Sequence, residues 1–78
     1  MTLNELRIGE LGTVTAVVTE DAMKRRLAAM GVAPGVSVRL LRTAPSGDPS
    51  EYRVMGYNLA LRKRDAEKII IEKDGGRK

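Results

Sequence analysis

Cysteine, histidine, tryptophan and phenylalanine are all missing from this 78-residue chain. Without thiols, neither a disulfide framework nor a thiolate metal site can compensate for a small core. A chain this short buries only about 60 to 65% of the surface its unfolded form exposes. With no imidazole and no thiolate, nucleophilic catalysis lacks its usual base and its best nucleophile, and the Ser, Thr and Tyr hydroxyls have no evident activating partner. No enzyme activity is therefore expected. A dedicated ferrous or zinc site would recruit the same missing ligands, and an all-oxygen site would suit magnesium or calcium better, so no metal or cofactor is expected either. Aromatic rings are confined to Tyr52 and Tyr57. That is a thin supply for stacking unpaired bases, which makes nucleic acid an unexpected partner.

Long apolar runs are missing too. Nowhere do about 18 apolar residues follow one another, and Glu5 and Glu10 interrupt the segment where a signal peptide would need its apolar centre. A cytoplasmic protein is expected, neither exported by that route nor inserted in a membrane. What the chain does have is 42% hydrophobic and 31% charged residues, ordinary for a folded domain. The core must be aliphatic. A net charge of +4 suits an acidic surface, whether nucleic acid, anionic headgroups or an acidic protein, without choosing among them. Basic residues cluster at Lys24 to Arg26 and at Arg62 to Arg64, which a solvated face also explains. The carboxylate pairs Glu20/Asp21, Asp48/Glu51, Asp65/Glu67 and Glu72/Asp74 each fit capping or solvation.

Along the chain, Thr2 and Glu5 have the spacing of a capping box on one short turn. Thr13 to Thr19 carries the β-branched density of a strand, with Val14, Ala16 and Val18 expected on one face. The period then changes. Met23, Leu27 and Met30 form one helical stripe, Glu20 and Asp21 stand where they can cap the start, and Gly31 follows the end. Pro34-Gly35 in "APGV" is the chemistry of a type II turn. Val36, Val38 and Leu40 should face inward from a second strand, where Leu41 breaks the alternation as a covered outer patch or part of a partner surface. "EYRVM" and "LALR" should pair antiparallel through a Gly56-Tyr57-Asn58 connection. Asp65 can cap a short turn, and Ile69 to Glu72 makes the closing strand.

Between the second and third strands lies "RTAPSGDPSEY". A phosphate cradle needs a run of free N–H groups leading into a helix, whereas this loop has two prolines and leads into a strand. Two readings stay open: plain turn chemistry, with Pro45 setting the turn, Gly47 relieving it and Pro49 holding Asp48 extended, or a rigid docking loop whose ordering cost on binding is low.

Five or so short strands, one or two short helices and many Gly and Pro turns give a mainly β fold, a small partly open barrel of the SH3 type. The domain should run over residues 1–72, with 73–78 as a flexible tail. Leu27, Met30 and Gly31 in "L-x-x-MG", Pro34-Gly35, Ala44-Pro45 with Gly47-Asp48-Pro49, and "LALR" with Asp65 occur in an order that resembles the FeoA family, the small cytoplasmic component of bacterial ferrous iron uptake. The resemblance covers Leu3 to Glu72. It implies an SH3-like barrel without enzyme chemistry that associates with FeoB, a membrane permease with a cytoplasmic G-protein domain, and so is recruited to the inner face of the membrane. The same module is the C-terminal domain of iron- or manganese-dependent repressors, which makes a regulatory domain the alternative, with a small nucleic-acid-binding barrel behind it. No DNA-reading helix-turn-helix precedes it here, which favours the accessory protein. The expected docking face joins Arg26 and Leu27 of the helix to Pro45, Asp48 and Pro49 of the loop, although the spacing of Leu27 favours the core over the surface. Leu41 and an exposed barrel edge would permit weak self-association.

Overall fold

After a 3-10 turn at Leu3–Glu5, the computed structural model contains β1 (Leu11–Val17), α1 (Asp21–Ala29), β2 (Ser37–Thr43), β3 (Ser50–Val54), β4 (Tyr57–Leu61), α2 (Lys63–Ala66) and β5 (Ile69–Lys73). Residues 1–74 are described. The strands form one antiparallel five-stranded sheet in the order β4-β3-β2-β1-β5. The chain thus winds through β1 to β4, and α2 then carries it from one outer strand to the other. The sheet is open, with β4 and β5 at its edges. The N-terminus covers part of the β5 edge, because Thr2 bridges Ile70 and Ile71 N–H donates to the Met1 carbonyl at 2.8 Å. Asp74 N–H continues the β1 pairing by donating to the Leu11 carbonyl at 2.8 Å. The tail expected beyond that point, residues 75–78, lies outside the described residues.

The core fills one side of the sheet. Val14, Val38, Leu40, Tyr52, Val54, Leu61, Ile69 and Ile71 are buried from the strands, and Leu3, Leu6, Leu27 and Ala66 close over them from the helical turns. Each aliphatic side chain so buried contributes about 1.5 to 3 kcal/mol. The turn over Leu3 is held by the expected capping box, in which Thr2 N–H donates to Glu5 Oε1 at 2.6 Å. At Gly12 the Ile71 side chain fills the space a side chain would take, since a Cβ there would lie 2.7 Å from Ile71 Cδ1.

Two irregularities correct the strand patterns expected from sequence. The pairing of β1 with β5 slips between Val14 and Ala16, so the inward position after Val14 passes to Val17 while Val18 is 64% exposed. An extra residue in one strand reverses the faces that follow it. The pairing of β2 with β3 slips in the same way between Leu40 and Arg42. Leu41 therefore breaks the alternation because it is the extra residue of a bulge.

α1 ends as the glycine predicts. Gly31, at φ 94, donates to the Ala28 carbonyl at 2.9 Å, and Val32 donates to the Leu27 carbonyl at 2.8 Å, a Schellman closure that packs Val32 beside Leu27. The start differs from expectation: Glu20 is the N-cap residue, but its side chain makes no capping bond. Pro34-Gly35 forms the expected turn, with Val36 N–H donating to the Ala33 carbonyl at 3.1 Å. The β3–β4 connection is shorter than expected. Val54 pairs with Tyr57 and Arg53 with Asn58, which leaves Met55-Gly56 as a two-residue turn with φ of 51 and 86. Both signs are those of a type I′ hairpin, whose twist matches the strands it joins.

Candidate docking surface

Residues Ala44–Pro49, the loop between β2 and β3, are held at several points. Gly47 N–H donates to the Ala44 carbonyl at 2.7 Å with Pro45 at the corner, and Ala44 N–H donates to the Pro49 carbonyl at 3.0 Å across the base. Ser46 Oγ donates to the Asp48 carbonyl at 2.9 Å, and the Asp48–Pro49 peptide is cis. Asp48 Oδ1 accepts the backbone N–H of Lys63 at 2.9 Å. That bond satisfies one of the free donors at the start of α2. Asp65, expected to cap this turn, stands inside it, and the N-cap position belongs to Arg62.

Below the loop, Thr43 and Ser50 share a hydroxyl–hydroxyl bond of 2.9 Å at the rim of a ≈ 190 Å³ pocket that also meets Asn4, Leu6, Tyr52 and Lys63. Burial pushes the Tyr52 hydroxyl above its ordinary pKa, with Asp48 adding to the rise and a hydrogen bond to Ser50 opposing it. At the outer side of the loop, half-buried Pro49 lines a shallow depression of ≈ 230 Å³ with Arg42, Ala44, Glu51 and Ala60, and Arg42 is ion-paired to Glu51.

On α1, Lys24, Arg25 and Arg26 are exposed, while Met23 and Met30 are half-buried. Leu27 has 0% of its surface exposed. This corrects its assignment as a contact residue, because a partner could touch it only by lifting the helix away from the core. Alongside α1 runs a groove of ≈ 360 Å³ whose walls include Ala28 on the helix, Val17 on β1 and Pro34 in the turn, with Lys24 at its rim.

The helix and the proline loop do not adjoin. The far end of α1 meets the β3–β4 turn, where the Tyr57 hydroxyl donates to the Met30 carbonyl, whereas the loop meets α2. Between them lies the length of β3, roughly 17 Å for five residues. Sequence reasoning found the loop and the basic helix, but missed the tie from Asp48 to Lys63, which joins residues 15 apart and leaves no local pattern. It also missed Arg39 facing Arg53 across β2 and β3, a consequence of register alone.

Among the described residues, no three carboxylates gather to hold a metal ion, and no helix is long and apolar enough to cross a membrane. The FeoA domain model matches residues 1–73. The chain belongs to the FeoA domain family. A protein of Porphyromonas gingivalis described as a fusion of Fe(2+) transport protein A with the Fe(2+) transporter FeoB is 36% identical over 72 residues, covering 92% of this chain and 8% of that protein. The solution structure of FeoA from Chlorobium tepidum is 38% identical with a TM-score of 0.92, over 100% of this chain and 74% of that one. FeoA from Stenotrophomonas maltophilia, solved with zinc and described as an SH3 domain protein, is 32% identical with a TM-score of 0.81, over 92% of this chain and 89% of that one. The mainly β, SH3-like fold expected from the sequence of this FeoA domain is the one its relatives show. A manganese-dependent transcriptional repressor at 21% identity, TM-score 0.85, shares the fold alone, over 94% of this chain and 36% of that one.

Proposed function

We propose that this FeoA domain is a non-enzymatic accessory protein of bacterial ferrous iron uptake that acts by binding the cytoplasmic part of a FeoB-type permease at the inner face of the membrane. The observation that carries this reading is the relative in which the two partners share one chain. Linking two modules raises their mutual concentration to the millimolar range for a short flexible tether, an advantage that exists only if they work in contact. The surface available for such contact lies on the helix and the loop. Arg26 supplies an exposed guanidinium, Pro45 and Pro49 a loop already ordered by its hydrogen bonds, and Asp48 a carboxylate at its base, while Leu27 holds α1 in place from beneath. The separation between helix and loop lies within the breadth of a standard interface, which buries about 800 Å² on each partner.

The test is co-purification of a tagged chain with a detergent-solubilised FeoB-type permease. Retention of the permease is expected, and Arg26→Glu is expected to weaken it in a chain whose circular dichroism is unchanged. No retention by a folded chain at about 10 μM, where an association of about −8 kcal/mol would be near-saturating, would overturn the reading.

A further inference from the structure

The outer face of β2, β3 and β4 carries a charge arrangement that the fold does not need. Arg39 and Arg53 are direct cross-strand partners, with Leu11 beyond Arg39 on β1 and Asn58 beyond Arg53 on β4. Both arginines are exposed. Like charges opposed across a ladder are destabilising. Among the described residues neither has a carboxylate within ion-pair distance, and Arg53 reaches only the Gly56 carbonyl and Asn58 Oδ1, at 3.4 and 3.3 Å. In the next row along the same face, the charges of Arg42 and Glu51 cancel, and the apolar edges of Pro49 and Ala60 form the ≈ 230 Å³ depression. Two unneutralised guanidiniums therefore stand one row, about 7 Å along the strand, from a small apolar seat.

We propose that this face binds an extended acidic segment of a protein partner, seating an aliphatic side chain in the depression at Pro49 and a carboxylate between Arg39 and Arg53. The row spacing equals the distance between residues i and i+2 of an extended chain, so one face of such a segment presents both groups. Planar guanidinium forks suit a carboxylate in two-point contact. Nucleic acid is the poorer fit. Glu51 and Glu72 stand on the same face as the arginines, and neither tyrosine does, since Tyr52 lies in the core and the Tyr57 hydroxyl is engaged with α1. The proposal extends the docking function above by naming a contact surface and the chemistry of its ligand.

The experiment is an NMR titration of the 15N-labelled chain with a synthetic peptide that alternates leucine and glutamate at i and i+2. Saturable shifts are expected at Arg39, Arg53, Asn58 and Ala60. Arg39→Glu and Arg53→Glu should each weaken binding by about tenfold or more, and Lys24→Glu, the same charge change on α1, by no more than about threefold. The double variant Arg39→Gln/Arg53→Gln should lose peptide binding while its melting temperature stays level or rises, whereas a structural role for the pair would lower it. Shifts centred on α1, equal loss with Lys24→Glu, or tighter binding of an RNA oligonucleotide or phosphatidylglycerol vesicles to the same residues would overturn the proposal. The readout is peptide binding by the isolated chain, so failure to co-purify with a permease would refute the function above and leave this surface standing, and the reverse also holds.

Discussion

Asp48 holds Lys63. A carboxylate in the loop between β2 and β3 accepts the backbone N–H that opens α2, at 2.9 Å, and so ties the proline loop to the segment that crosses from one sheet edge to the other. A residue expected on the docking face therefore also has a structural duty. Asp48→Ala should lower stability by about 1 kcal/mol, the usual cost of a lost helix cap, while Asp48→Asn, which keeps an acceptor oxygen, should lower it by less. Urea unfolding measures both. If the permease recognises the charge, Asp48→Asn loses co-purification at near wild-type stability. Retention by both variants would remove Asp48 from the docking face.

Gly31 should tolerate no side chain. Its φ of 94 lies in the left-handed region, and a Cβ there would come within 3.1 Å of Met55 Cγ and 3.3 Å of Val54 Cγ1. Gly31→Ala is expected to destabilise the domain by more than about 1 kcal/mol, because the conformational cost alone is of that size. Unchanged unfolding would show that the end of α1 adjusts freely.

Met55 is a departure from the residues that a type I′ turn favours. Its φ is 51 and its side chain is 70% exposed, so replacement sacrifices little burial. Met55→Asn should stabilise the protein by about 0.5 to 1 kcal/mol, since asparagine enters the left-handed region more readily. Thermal melting would report this as a rise in midpoint. A fall would mean that the packing of the Met55 side chain beside the end of α1 outweighs the turn.

Stability should depend on pH at both extremes. The hydrogen bond from Lys73 and the backbone N–H of Arg7 hold Glu10 below the ordinary glutamate value of 4.5, and Thr2 lowers Glu5 in the same way. Depressed carboxyl values mean that the unfolded chain binds protons more readily, so stability present above pH 4.5 falls as the pH drops from there through the folded values. Glu10→Gln should flatten that slope. Tyr52 is raised by burial, so its contribution is intact below its ordinary value of 10.0 and is lost as pH rises beyond it, a loss that Tyr52→Phe should remove. Denaturant midpoints measured across both ranges check the two signs, and parallel slopes in variant and wild type would refute the assignments.

Much of the fold is local and was legible in residue order. The stripe of Met23, Leu27 and Met30, the glycine after it and the Pro34-Gly35 turn are set by backbone preferences and by a period of 3.6, and neighbouring residues alone carry them. The same holds for what the chain cannot do with imidazole or thiolate. The two bulges were only half legible: Leu41 stood out by breaking an alternation, but nothing in Thr13 to Thr19 announced the slip that turns Val18 outward.

Composition, turns and periodicity thus determined a small aliphatic β domain, because each is a property of short stretches of chain, while the FeoA family was indicated by the resemblance of its motifs. Only the tertiary structure decided that Leu27 is core rather than contact, that Asp48 reaches Lys63, and that Arg39 stands against Arg53. The first two depend on how a helix and a loop pack against remote segments, and the third on strand register, where a shift of one residue would send both arginines to the other face.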